Sequence, residues 1–467
     1  MNEISPQTGS PRWPWWLAGG CVLIVLIGLL LPRPGANSSA FDLANVPRPG
    51  DKSNSSGHRP GRTSRHYAAG GPAQSAEEIV ARKLTQFGKS RRDLVHAIAK
   101  HFKMDVPDEV ERFFDAVERG RWEEIDAAHE ALLLTRTNLN QPKSAELHQI
   151  WRSIQETWGA AKETHNWPAQ KLLDYGEAVL GSLKPGMIYV GGTDPGCFIP
   201  TFLNETSDGE RHITLTQNAL ADGTYLDYLN FLHGDRLNTL THDDSQRAFQ
   251  DYISEAQKRL RHDRQFPDES KQVKPGEDIR IDDDGKIQVS GQVAVMAINE
   301  KLLQTLMDKN PDASFAIEQS FPFESMYSNT VPLGPIMELR VADAQNVFTA
   351  ELASQSVDYW RTTAQQLLED TQTSDGSDPR KAYSKLISEQ AALLLNHKFT
   401  AEAEQAFQIA TTLCPSSPEA VFRYANLLVG QKRFDEAIGV ANSALKADPN
   451  NTQFRDLAAR LAEAKSH

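Results

Sequence analysis

The sequence predicts a chain of mixed α+β and α/β class, with a single N-terminal transmembrane helix, a helical region, a small α/β sheet domain and C-terminal helical hairpins. Three observations predict it. Residues 13–31, WPWWLAGGCVLIVLIGLLL, are apolar and uncharged, about the length that crosses a bilayer. The centre alternates short β-branched runs with helical runs, the order of a parallel strand pair joined by a crossover. The C-terminus repeats small residues at a spacing of 34.

Composition bounds the function. The chain has 467 residues and a formal net charge of −13, from 49 Lys and Arg against 62 Asp and Glu. A negative chain is ill suited to gripping nucleic-acid phosphates, so no nucleic-acid partner is expected. Cys21, Cys197 and Cys414 are too few for a disulfide framework and lack zinc spacing, so no metal is expected.

The first segment, 1–33, carries the apolar run. Trp13, Trp15 and Trp16 sit at one end, where indoles favour the membrane interface, and Pro32 and Arg33 end it. The run is read as an uncleaved anchor; a cleaved secretory signal is the alternative. Residues 34–75 are rich in Pro, Gly, Ser and Asn and hold almost no apolar side chains, so they read as a disordered linker spanning roughly 35 Å.

Residues 76–183 are helical by spacing. EEIVARKLTQF and RRDLVHAIAKHF place apolar residues three and four apart. The stretch from Pro107 to Leu134 reads as two helices joined near Gly120, with Pro107 in the first turn. Trp151 and Trp158 share a helix face and are expected in a core or interface rather than as a stacking platform.

Residues 184–345 form the α/β domain. MIYVGG (187–192) and HITLTQ (212–217) are strand signals; CFIPTFLNE and ADGTYLDYLNFL are helices, with Pro200 placed in the first turn of the former. DIRIDDDGKIQVSG is a hairpin around Asp-Gly, and VMAINEKLLQTLMDKN is helical in its second half. SFAIEQSF and PIMELR are further strands, and SFPFESMYSNTVPLG reads as a structured loop.

The glycine-rich stretch GGTDPG, 191–196, follows the first strand. It fails the dinucleotide fingerprint and the Walker pattern, so no cofactor is expected. Two readings remain: a tight turn in which Asp194 caps the next helix, or a ligand site at the carboxyl end of a strand. In the second reading Thr193 and Asp194 join Gln217, Asn218 and Asp222 at the adjacent strand end. No catalytic residue is assigned.

Residues 346–467 hold a connecting helix, two repeats and a capping helix at 452–465. Ala391, Leu394, Ala403, Ala410 and Pro415 recur 34 residues on as Ala425, Leu428, Ala437, Ala444 and Pro449. This period and small-residue pattern resembles the tetratricopeptide repeat, which implies C-terminal tetratricopeptide helical hairpins and a protein partner bound in their groove. Residues from about 151 to the end, through IYVGGTDPGCFIPTF, ITLTQNALADGTYLDYL, SFPFESMYSNTVPLGPIMEL and the repeats, also resemble the soluble C-terminal region of bacterial protein O-mannosyltransferase-like membrane proteins. That resemblance implies an accessory module outside the cytoplasm. Where those relatives commonly follow TDPG with Arg, this chain has Cys197.

The sequence therefore predicts a membrane-anchored, non-catalytic interaction or scaffold protein, accessory to envelope glycosylation. The alternative is a ligand-binding or enzymatic domain acting on a glycan or lipid-linked sugar.

Overall fold

The computed structural model describes residues 74–466, apart from 138–142, 193, 275, 282–286, 320 and 340–347. The apolar run at 13–31 and the linker lie outside the described residues. Among the described residues, no helix is long and apolar enough to cross a membrane.

Helix α1 (Ala76–Phe102) joins the two predicted amphipathic stretches into one. Ser75 caps it, accepting from the Glu78 amide while Glu78 returns to the Ser75 amide. Helices α2 (Asp108–Arg119) and α3 (Trp122–Thr137) follow, with Gly120 closing α2 in the left-handed region at φ 69°. Pro107 is the residue before α2 rather than inside its first turn. Helix α4 (Lys143–Asn166) and α5 (Ala169–Leu180) complete this region. Trp151 is buried, and Trp158 stacks on His129 at 4.4 Å between centroids, so both serve packing. Burial lowers His129 to about 4, which keeps that ring neutral.

The sheet is mixed. Strand β1 (Ile188–Gly191) runs into α6 (Asp194–Glu205) and then β2 (Thr214–Thr216), and the two strands pair in parallel as predicted. The three-residue turn 217–219 leads to α7 (Gly223–His233) and α8 (His242–Gln265). Strands β3 (Asp278–Ile281) and β4 (Ile287–Ser290) form the separate predicted hairpin. After α9 (Gln292–Lys309) comes β5 (Phe315–Ile317), parallel to β1. Strands β6 (Thr330–Leu333) and β7 (Ile336–Leu339) add antiparallel, giving the order β2-β1-β5-β7-β6.

Three expectations are corrected here. Pro200 lies in the second turn of α6, and the Gly196 carbonyl it leaves without a backbone donor accepts from the Tyr189 hydroxyl instead. Helix α9 is helical throughout: burial of Ala294, Ile298 and Leu302 along one face overrides the β-branched Val293 and Val295. The segment expected as a loop contains β6, whose Pro332 is tolerated because the strand is at the sheet edge.

Helix α10 (Ala350–Glu369) leads to two helical hairpins, α11 (Asp378–Asn396) with α12 (Thr400–Leu413) and α13 (Pro418–Gly430) with α14 (Phe434–Ala447), then α15 (Thr452–Ser466). The six repeated alanines, Leu394 and Leu428 are fully buried where paired helices meet. The period is also written in the backbone. Lys398 and Lys432, 34 apart, both adopt the left-handed conformation in the interhelical turn, at φ 66° and 61°. One continuous apolar core runs from Val80 to Leu461 and takes in the helical region, the sheet and the repeats.

Candidate functional site at the strand ends

The loop after β1 is shaped by close approach. A side chain on Gly191 would strike the Gly196 carbonyl, and one on Gly196 would strike the carboxylate of Glu318. Neither glycine has positive φ among those that do. The Gly192 amide donates to Glu318 Oε2 at 2.8 Å across 126 residues of sequence. Glu318 follows β5, and its own amide donates to Val190 in β1 at 2.9 Å. A loop that reads as an anion cradle at a helix start thus holds the chain's own carboxylate.

Helix α11 closes over that carboxylate. Residues 382–391 are all buried, although they include Ser384, Lys385, Ser388, Glu389 and Gln390. Lys385 Nζ lies 3.8 Å from Glu318 and 3.5 Å from Glu389. The Gln319 amide donates to Glu389 Oε2 at 3.3 Å, and the Tyr327 hydroxyl donates to Gln319 Oε1 at 3.0 Å. Gln390 Nε2 donates to the carbonyls of Gly334 and Ile336 in the β6–β7 turn, at 2.8 and 2.9 Å. Its Oε1 accepts from Ser356 and Trp360 of α10. Helix α11 is therefore bound to the sheet through Glu389 and Gln390.

Burial pushes Glu389 up to about 8; Lys385 opposes this and Glu318 adds to it. Burial works against the Lys385 charge, yet Glu389 and Glu318 hold it above the usual lysine range. Beside the loop, burial raises Glu163 to about 8, with Lys162 opposing and Asp194 reinforcing.

The five candidate residues are placed differently. Thr193 lies outside the described residues. Asp194 opens α6 and pairs with Lys162 of α4 at 2.9 Å. Asn218 Nδ2 donates to the Gly192 carbonyl at 3.2 Å, which joins the second strand end to the loop. Gln217 is fully buried, and its amide donates to the Phe321 carbonyl at 3.2 Å. Asp222 caps α7, accepting from the Thr224 amide at 2.9 Å and its hydroxyl at 2.8 Å. The structure brings Asn218 to the loop, ties Gln217 to Phe321, sets Asp194 toward α4 and turns Asp222 onto its own helix.

Sequence reasoning missed Glu318, Gln319, Lys385 and Glu389. The signal available was a Glu-Gln pair directly after an apolar strand run, and charged residues inside a helix otherwise read for its alanines. Among the described residues, no group of His, Cys, Asp and Glu is arranged to hold a metal. Burial raises the Cys197 thiol to about 11, with Arg152 opposing, so it is not a thiolate at neutral pH.

A second buried cluster lies behind the sheet. Arg91 of α1 pairs with Glu156 of α4 at 2.9 Å and Glu205 of α6 at 2.6 Å. Arg152 pairs with Glu156 at 2.7 Å and donates to Thr216 and to Cys197 Sγ. The Tyr228 hydroxyl donates to Glu156 at 2.9 Å. Burial alone would raise Glu156, but Arg91 and Arg152 hold it below the usual carboxylate value.

A tetratricopeptide repeat family model matches residues 398–461, from just after α11 into α15. No curated protein and no solved structure matches the chain. The repeats suggest a protein-interaction or scaffold role.

Proposed function

We propose that this chain is an interaction scaffold in which the first tetratricopeptide helix is consumed in fixing the array to the sheet, while the second repeat and last helix receive a protein partner. The carrying observation is the contrast along the array. Helix α11 is buried through residues 382–391, whereas α13 and α15 alternate buried and exposed positions. On α13, Phe422 and Asn426 share one face a turn apart, half-buried and exposed respectively. Two repeats offer a small groove, so a short segment of a partner fits better than a broad surface.

Residues 13–31 would hold this scaffold at a membrane, as the sequence reading expects; extraction of the full chain from membranes by alkaline carbonate would contradict that. The resemblance to transferase-associated modules and a link to envelope glycosylation draw no support from the fold or the comparisons.

The test is proximity crosslinking with the full chain as bait, compared with a Phe422→Asp, Asn426→Arg variant. Loss of the same captured proteins in a variant with unchanged thermal unfolding supports the reading. An unchanged capture set, or no crosslinked protein, contradicts it.

A further inference from the structure

The junction of the strand ends with α11 and α13 gathers buried polar atoms that the chain leaves without hydrogen bonds. They are Lys385 Nζ, Ser388 Oγ, Glu389 Oε1, Gln319 Nε2 and Arg423 Nη1. Lys385 is 9 % exposed, Gln319 and Glu389 1 %, and Ser388 0 %. Lys385, Ser388 and Glu389 share one face of α11. Arg423 occupies in the second repeat the place Glu389 holds in the first, 34 residues earlier, and its charge acts on both Glu389 and Lys385. Gln319 is joined to Glu389 through its amide.

One such atom in a protein interior is ordinary; several in one place call for something outside the chain to satisfy them. The set is rich in donors. Lys385 Nζ, Gln319 Nε2 and Arg423 Nη1 can only donate, and two of them belong to cations. Glu318, the nearest carboxylate to Lys385 besides Glu389, is already engaged by the Gly192 amide.

We propose that this junction binds a small free oxyanion, of the size and shape of sulfate or inorganic phosphate, between the strand ends and the two repeats. Lys385 and Arg423 supply the charge, and Gln319 and Ser388 supply neutral donors. Glu389 joins them as a donor while it is protonated. The groups facing Glu389 are Lys385, Glu318, Arg423, Tyr327, Tyr175 and Tyr189, and Glu419 acts on Lys385 beside it. The carboxyl is raised to about 8, so its ionisation places a negative charge against the anion, and binding weakens as pH rises through that value. An occupied site would tie the array to the sheet, which goes beyond the partner-binding role of the outer repeat.

The experiment is thermal unfolding of the full chain at neutral pH against sodium sulfate and sodium phosphate, with sodium chloride at matched ionic strength. The expected result is a saturable rise in Tm of several degrees, with apparent affinity at least tenfold weaker in Arg423→Gln and reduced in Ser388→Ala. Arg423 is only half-buried, so its variant is expected to fold. Sulfate affinity should fall about tenfold per pH unit above the Glu389 value, and this fall should vanish in Glu389→Gln. Glycerol phosphate should give a smaller shift than the free anions, because Gln319 and Ser388 are 1 % exposed or less. A non-saturating rise shared by the chain and Arg423→Gln would be general salting stabilisation and would overturn the proposal. No rise would mean the junction holds water alone. A response to the monoester and not to the free anions would overturn it equally.

Discussion

Two buried charge clusters hold distant parts of the chain against the same sheet, and they are finished differently. Behind the sheet, Arg91, Arg152, Glu156 and Glu205 balance in charge, and Tyr228 and Thr216 take up their remaining bonds, leaving Arg91 Nε alone without a partner. At the strand ends, Lys385 reaches Glu318 and Glu389 only at ion-pair distance, and five polar atoms there, its own Nζ included, lack a hydrogen bond. The first cluster is closed by the chain itself; the second is left open. Desolvated charges are costly unless geometry and hydrogen bonds are both good. A saturated cluster reads as fold architecture, and an unsaturated one as a place that awaits something.

The largest expected effect follows from that difference. Arg91→Met leaves Glu156 buried with Arg152 as its remaining cation and takes the Arg91 ion pair from Glu205, and should cost about 3–5 kcal/mol in urea unfolding. Lys385→Met should cost less than half as much, because its ammonium has no hydrogen bond to lose and Glu389 can take up a proton. Equal losses would erase the distinction between the clusters. Next, Gly196→Ala drives a methyl into the Glu318 carboxylate and should cost about 1–3 kcal/mol by overpacking. A neutral result there would mean that Glu318 is not seated against the loop.

The pH dependence sharpens the second cluster. Glu389 is raised to about 8 in the folded chain, well above an unfolded glutamate. Its contribution is therefore fully present below the unfolded value and is lost as pH rises through the folded one. Stability should fall across that window with a slope of about 1.4 kcal/mol per pH unit from this group. Glu389→Gln should remove that part of the slope, as read from urea midpoints at several pH values; Glu163, also raised to about 8, contributes in the same direction and should persist. The smallest effect is expected at Asp222, where Asp222→Ala removes a helix cap worth about 1 kcal/mol and should leave partner capture unchanged.

Much of the fold was legible because it is local or periodic. The alanines at 34-residue spacing are fully buried, since only small side chains let paired helices approach closely. The β1-α6-β2 parallel pair and the hairpin around Asp284–Gly285 followed from alternation and turn chemistry. Helix α8 carried a signal that went unread: Thr241 and Asp244 form a reciprocal cap ahead of a long amphipathic run. Strand β6 was hidden because Pro332 argues against a strand except at an edge, and edge position is a tertiary fact. The candidate site was half legible. The glycine loop announced itself, but its real occupant, Glu318, is 126 residues from Gly192, and its lid, α11, was read only for its alanines. Local spacing cannot report which carboxylate a sheet brings to a loop.

Hydrogen exchange read by mass spectrometry on the full chain tests most directly whether the first repeat helix belongs to the sheet while the rest of the array stays free. Helix α11 should exchange together with β5, β6 and β7 as one slow unit, with α13, α14 and α15 opening at lower free energy. If α11 instead exchanged in step with α13–α15 and separately from the strands, the array would be an independent unit, and the division of labour between its two repeats would be wrong.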